Sequence, residues 1–140
     1  MLGANAIYLA REIAGWGLSQ MDNAQRIDVL NKNVVVIRSF KNAINDMGTM
    51  MYEFLSSNNR SNLYGYKMKF AAIENISCEL CSCLTYNSNV AFGSCDKDYN
   101  RIADDLAVMA KILNFEIENN MTSVDVHNKT YKIMPVEVAV

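Results

Sequence analysis

The chain has 140 residues, of which 51% are hydrophobic, and 13 basic and 15 acidic side chains give it a net charge of −2. This length and composition predict a single domain over residues 1–140 with a substantial hydrophobic core, and they exclude a disordered chain. The nearly even charge argues against a dedicated nucleic-acid-binding protein, and no apolar run approaches the roughly 20 residues that a membrane-spanning helix needs.

The chain begins with an amphipathic segment from Gly3 to Trp16, which we predict to be the first helix. Arg11 and Glu12 stand where a signal peptide would stay apolar, so we expect a cytoplasmic protein, acting in its own cell or in a host cell. Two glycines flank the tryptophan and favour a turn. Asp22 is expected to cap the next helix, with Gln25 completing a capping box.

The next segment carries the longest apolar stripe at helical spacing, and we predict one helix over about residues 22–56. From Ala24 to Leu55 it would measure about 48 Å at roughly 1.5 Å per residue, whereas a compact chain of this length has a diameter of about 37 Å. We therefore expect that the helix breaks, that the molecule is elongated, or that another chain covers the overhang. The stripe consists of Ile27, Leu30, Val34, Ile37, Ile44, Met47, Met51 and Phe54.

Two positions could interrupt this long helix. Asn31–Asn33 is followed by Val34–Ile37, a run of four β-branched residues that also fits a buried strand. The apolar stripe stays in phase through the run, so a helix is the preferred interpretation and a strand is the open alternative. Gly48 is the second candidate break.

Two more helices are predicted after the polar loop at residues 56–62. The third runs from about Tyr64 to Leu84, and its apolar residues share one face. The fourth starts near Asp96, which is a suitable N-cap, and ends near Asn114.

The tail alternates apolar and polar residues, a pattern typical of strands. The alternation covers Phe115–Glu118, 124–127 and 130–134, with a turn expected near His127. The predicted fold is mainly α: a four-helix bundle over residues 1–114 with one long helix, and a small C-terminal antiparallel β-hairpin within residues 115–140.

The four cysteines form a C-x-x-C-x-C cluster with one more thiol after it. Four thiolates suit tetrahedral zinc, and C-x-x-C is a common half-site. Against zinc, the first three thiols fall on a predicted helix that would have to unwind to bring them together. Ordinary core thiols are therefore preferred, with zinc and a redox or disulfide pair as alternatives and no other cofactor expected. The cysteines are Cys78, Cys81, Cys83 and Cys95.

Two neighbouring groups of residues are candidates for a binding surface. The methionine-rich group near the end of the long helix could adapt to an irregular partner, although core packing is the simpler interpretation. The basic and tyrosine-rich group after the polar loop could hold nucleic acid or form a solvated helix start, and nucleic acid is the less favoured alternative. The candidate residues are Met47, Met50, Met51, Phe54, Arg60, Tyr64, Tyr66, Lys67 and Lys69.

Catalytic groups are sparse in the sequence. His127 is the only histidine, which disfavours a catalytic triad or a histidine-rich metal site. Asp104 and Asp105 are adjacent, so on a helix they point about 100° apart and cannot act as a carboxylate pair. We assign no catalytic residue, and a small enzyme of unknown class is the least favoured alternative.

The long helix has apolar side chains on more than one face, which predicts burial nearly all round. A second copy of the chain is the simplest cover, so we expect a homodimer or higher oligomer. The additional apolar residues are Val35, Val36, Phe40, Ala43 and Met50.

These features predict a non-catalytic protein-binding or regulatory module that acts through apolar helix faces. The alternative is a helical protein that binds zinc at its cysteines or a small ligand among its helices. The 17 asparagines and single proline indicate an AT-rich coding genome. Such a source fits a phage or mobile-element protein that inhibits a host protein.

Overall fold

The computed structural model describes residues 3–58, 64–86, 97–120, 123–126 and 129–132, and within them the side chains of 3–52, 67–82 and 97–114. This part of the chain is mainly helical, as predicted. Its elements are α1 (Ala4–Ala14), α2 (Asn23–Lys32), α3 (Val34–Asn58), α4 (Tyr64–Tyr86), α5 (Tyr99–Asn120), β1 (Ser123–Val126) and β2 (Lys129–Lys132).

The predicted turn and helix cap after α1 are both present. Gly17 has φ 66°, a left-handed conformation that favours glycine, and a single 3-10 turn follows it. The Asp22 carboxylate accepts from the Gln25 backbone N–H at 2.9 Å, and the Asp22 N–H donates to the Gln25 side chain at 3.0 Å. This reciprocal capping box fixes the start of α2.

The predicted single helix over residues 22–56 is wrong at Asn33, where the structure has two helices. Asn33 has φ −121° and ψ 30°, outside the helical region. Its side-chain amide donates to the Val29 carbonyl at 2.8 Å, a local bond of the kind that competes with helix propagation. The run Val34–Ile37 is helical, because α3 begins at Val34, and Gly48 does not break α3.

The last helix differs from the prediction at both ends. The Asp98 side chain accepts from the backbone N–H groups of Asn100 and Arg101 at 3.1 and 3.2 Å, so Asp98 caps α5. The expected cap, Asp96, lies outside the described residues. The helix continues to Asn120, so the alternation at Phe115–Glu118 is helical and not a strand.

Two short strands follow α5. β1 pairs antiparallel with β2, with Ser123 opposite Lys132 and Val126 opposite Lys129. The expected turn residue, His127, lies outside the described residues.

The core is centred on α3, which packs against α1 and α4. The stripe predicted from sequence supplies its buried side, since Ile37 and Ile44 are 0% exposed. Phe40, also fully buried, contacts the Tyr99 ring of α5 edge-on at 6.4 Å between centroids. Burying an aliphatic or aromatic side chain of this size contributes roughly 1.5–3 kcal/mol.

The additional apolar faces of α3 are mostly covered within the chain. Val36, Ala43 and Met50 are partly buried against the core, whereas Val35 remains 77% exposed. At 25 residues, α3 measures about 37 Å, which equals the estimated diameter of the compact chain. The length of this helix therefore does not require a second subunit to cover it.

Candidate functional surface

Two of the predicted binding methionines lie in the core. Met47 and Met51 are 2% and 1% exposed, and Met50 is partly buried against the same cluster. Core packing, the simpler interpretation of this group, therefore accounts for Met47 and Met51. The side chains of four other candidates lie outside the described part: Phe54, Arg60, Tyr64 and Tyr66.

A polar cluster joins the second half of α3 to the first half of α4. The Tyr52 hydroxyl donates to Glu74 Oε1 at 2.8 Å, and Lys67 Nζ lies 5.4 Å from the centroid of the Tyr52 ring. Phe70 contacts the same ring edge-on, at 6.1 Å between centroids. Lys67 is one of the candidates predicted from sequence, whereas the Tyr52–Glu74 contact is not predictable from a local pattern, because the two residues are 22 positions apart.

Gly48 allows the two helices to approach closely at this cluster. A Cβ at this position would lie 2.6 Å from Phe70 Cε1 and 3.3 Å from Glu74 Oε2. Phe70 is fully buried, so its ring has little room to move. Gly48, which the sequence suggested as a helix break, therefore lies at a close packing contact between α3 and α4.

The environment of Tyr52 favours its neutral form. Burial, the hydrogen bond to Glu74 and the charge of Glu74 raise the pKa of the Tyr52 hydroxyl from 10.0 to about 12. The hydroxyl therefore remains a hydrogen-bond donor to Glu74 at neutral pH. This contact ties α3 to α4, and nothing in it indicates a role in proton transfer.

The other described basic candidate, Lys69, lies on the outer side of α4. Its Nζ is 3.3 Å from Asp105 Oδ1 of α5, and the two side chains are 49% and 27% exposed. This pair marks the place where α4 and α5 meet at the solvent. Asp104, the neighbour of Asp105, instead pairs with Arg11 of α1 at 2.9 Å. The two adjacent carboxylates thus point to different helices, as their spacing predicts.

Exposed apolar side chains occur on the same turns of α4 and α5 as the Lys69–Asp105 pair. Met68, next to Lys69, is 57% exposed, and Val108, one turn after Asp105, is 47% exposed. Ala72 is exposed on the same stripe of α4 as Lys69. We call the group formed by Met68, Lys69, Ala72, Asp105 and Val108 the outer α4–α5 surface.

The sequence pattern does not single out Met68 or Val108. Met68 stands between two lysines, and Val108 lies within the apolar run 106–110, where periodicity does not show which apolar side chain remains exposed. Two other large apolar side chains are exposed elsewhere in the described part: Tyr8 at 66% on α1 and Val35 at 77% on α3.

Only two of the four cysteines have described side chains. Cys78 is exposed and Cys81 is partly buried, one turn apart on α4. The side chain of Cys83 and all of Cys95 lie outside the description, so the four-cysteine zinc site stays a prediction. Among the residues whose positions are described, no three histidine, cysteine or acidic side chains come together as a metal site.

Comparison with protein-family models, with curated proteins and with solved structures found no match in any of the three. Within the described ranges, no helix is both long and apolar enough to cross a membrane.

Proposed function

We propose that this protein is a non-catalytic protein-binding module, and that its partner contacts the outer α4–α5 surface. The observation that supports the proposal is the exposure of Met68 and Val108, 57% and 47%, on the turns of α4 and α5 that also carry a half-exposed ion pair. Interaction surfaces commonly combine an apolar centre with a polar rim. Methionine is flexible and polarizable, so Met68 suits a partner of irregular shape.

The packing of α5 supports this choice of surface. α5 has extensive contact with α1 but very little with α4. α4 and α5 are therefore loosely packed against each other, and in the proposed complex a partner helix or loop adds apolar contacts along this side. Helix-in-groove recognition uses apolar anchors spaced along one face in this way. We further propose that the helices form a bundle around α3 with a C-terminal β-hairpin beside it.

A partner of different sequence is favoured over a second copy of the chain. The sequence argument for a homodimer depended on a 48 Å helix (about 1.5 Å per residue) with apolar residues left uncovered. The division at Asn33 shortens that helix, and Val36, Ala43 and Met50 pack within the chain. The experiments below also detect self-association, in which the outer α4–α5 surface of one copy of the chain binds a second copy.

The narrower form of the proposal is inhibition of a host protein by a phage or mobile-element product, acting in the cytoplasm. Its support is compositional, namely the 17 asparagines and the single proline.

Zinc binding by the four cysteines is the second candidate, supported by the position of Cys78 and Cys81 one turn apart. Native mass spectrometry of the purified protein tests it, and a metal-free mass removes it.

The binding proposal is tested with Val108→Lys and its matched control Val35→Lys. Both replace an exposed valine on a helix, at 47% and 77% exposure, so neither is expected to disturb the core. The tagged wild-type protein and both variants are expressed in the same cells, and co-purified proteins are quantified by mass spectrometry. A partner retained by wild type and Val35→Lys but lost from Val108→Lys supports the proposal.

Light scattering on the same three proteins identifies self-association. A wild-type dimer that Val108→Lys alone dissociates would make the partner a second copy. If all three proteins are monomers and retain the same co-purified proteins in equal amounts, the outer α4–α5 surface is not the binding surface.

A further inference from the structure

The start of α1 has no side-chain cap among the described residues. Gly3 stands at the N-cap position, where it has no side chain to accept a hydrogen bond, and the first turn holds no acidic residue. The Ile7 N–H makes the first bond of the helix, to the Gly3 carbonyl, so the N–H groups of residues 4–6 precede it. By contrast, the carboxylates of Asp22 and Asp98 cap α2 and α5.

A second donor without a partner lies on α5. Asn114 is only 2% exposed, and its side-chain Nδ2 forms no hydrogen bond in the described part of the chain. Burying an amide without a hydrogen bond costs free energy, so folded proteins rarely leave one unpaired. The Asn114 amide therefore requires an acceptor that the described residues do not supply.

The packing of α1 on α5 brings these two features together. The helices run antiparallel: Arg11, near the end of α1, pairs with Asp104, whereas a Cβ on Gly3 would lie 3.1 Å from the Ala110 Cβ. Asn114 is one turn beyond Ala110 on the same face of α5. Helical side chains lean towards the N-terminus of their own helix, so the Asn114 amide reaches back towards Gly3 and the start of α1.

The surroundings of the α1 start are enclosed and apolar. Met47 Sδ of α3 is 3.1 Å from the position of a Cβ on Gly3, and Met47 and Ala6 are 2% and 1% exposed. Away from water, hydrogen bonds to a charged acceptor are stronger than at the surface. The groups that converge here are all donors, and the end of the helix dipole is positive, so the arrangement favours an anion.

We propose that the start of α1 and the Asn114 carboxamide together bind one small anion, of the size of a carboxylate group. The backbone N–H groups of residues 4–6 and the Asn114 Nδ2 donate to it, and the dipole of α1 stabilises its charge. The close approach of Gly3 to Ala110 and Met47 leaves no room for a larger ligand. This inference is independent of the proposed partner and of the outer α4–α5 surface.

The test is an NMR titration of the nitrogen-15-labelled full chain with sodium formate, in which sodium gluconate keeps the ionic strength constant. We expect saturable shifts in the backbone amides of residues 4–6 and in the Asn114 side-chain amide. The Gln25 amide at the start of α2 is an internal control, because the Asp22 carboxylate already accepts its hydrogen bond. Parallel titrations with acetate and chloride distinguish a carboxylate ligand from a halide, and saturation by either supports the proposal.

Two variants test the role of the amide. Asn114→Leu removes the side-chain donor and should weaken anion binding roughly tenfold. Asn42→Leu replaces an exposed asparagine on α3 and should bind as wild type does. Circular dichroism verifies folding, and the wild-type titration decides alone if Asn114→Leu is unfolded. The proposal is overturned if no anion gives saturable shifts at residues 4–6, if Gln25 shifts equally, or if folded Asn114→Leu binds with unchanged affinity.

Discussion

Helix α5 meets its two neighbours, α1 and α4, in very different ways. Towards α1, the contact is extensive, and the buried residues of the two helices include Ala10 and Ala103, both at 0% exposure. Small side chains let two helix backbones approach closely, so α1 and α5 are tightly packed along this contact, which we call the closed seam. Towards α4, contact is sparse, and the Lys69–Asp105 ion pair there is half exposed. α5 is therefore tightly packed on its α1 side and loosely packed on its α4 side, where we propose that a partner binds.

The largest effect is expected from overpacking the closed seam. Ala110 is 3% exposed, and its Cβ lies so near the Gly3 backbone that a Cβ on Gly3 would be 3.1 Å away, so the larger side chain of Ala110→Leu must displace its neighbours. We expect a loss of about 3 kcal/mol in the free energy of unfolding, measured by urea denaturation. The control, Val108→Leu, lies on the open side of α5 and should change stability by less than about 0.5 kcal/mol. Equal effects would contradict the comparison between the two sides.

The α3–α4 contact at Gly48 is also tightly packed, and we expect the second largest effect there. In Gly48→Ala the new methyl would meet Phe70 at 2.6 Å, and the clash outweighs the gain in helix propensity. We expect a net loss of about 1–2 kcal/mol in thermal or urea unfolding. Gly65→Ala is the matched control on α4, because no side chain of the described residues lies within 4 Å of its new Cβ. A stabilised Gly48→Ala protein would show that Phe70 can move freely.

Removing the Tyr52 hydroxyl should have a smaller effect and a characteristic pH dependence. Tyr52→Phe loses the hydrogen bond to Glu74, which we expect to cost about 1 kcal/mol at neutral pH.

The raised pKa of about 12 gives this contact an alkaline limit. Because the folded state holds the Tyr52 proton more tightly than the unfolded state, its contribution is complete below pH 10.0 and is lost towards pH 12. Urea unfolding at a series of pH values should therefore show a steeper alkaline loss in wild type than in Tyr52→Phe. Parallel curves for the two proteins would argue against the pKa assignment.

The smallest effect is expected at the open seam. Asp105→Asn removes the ion pair with Lys69, whose side chains are 49% and 27% exposed, and should cost no more than about 0.5 kcal/mol. Salt should diminish the difference from wild type further. A loss above about 1.5 kcal/mol in urea unfolding would mean that the α4–α5 seam is closed in solution and leaves no room for a partner.

The local features of this protein could be predicted from its amino-acid sequence. The apolar stripe identified the buried side of α3, and the Asp22 and Gln25 spacing identified the capping box that starts α2. Helix α4, Tyr64–Tyr86, lies within two residues of its predicted end. Each of these features depends on hydrogen bonds and side-chain spacing within a few residues, so the local sequence is enough to predict it.

The position at which the long helix divides, and the helix faces that pack against each other, are seen only in the folded structure. The apolar stripe stays in phase across Asn33, so the periodicity predicts one continuous helix. The interruption occupies a single residue, and the Asn33 side chain forms a hydrogen bond to the Val29 carbonyl there. The Tyr52–Glu74 bond and the outer α4–α5 surface join residues far apart in the chain. Which of several apolar faces is covered depends on how whole helices pack, and that is a non-local property that no single segment encodes.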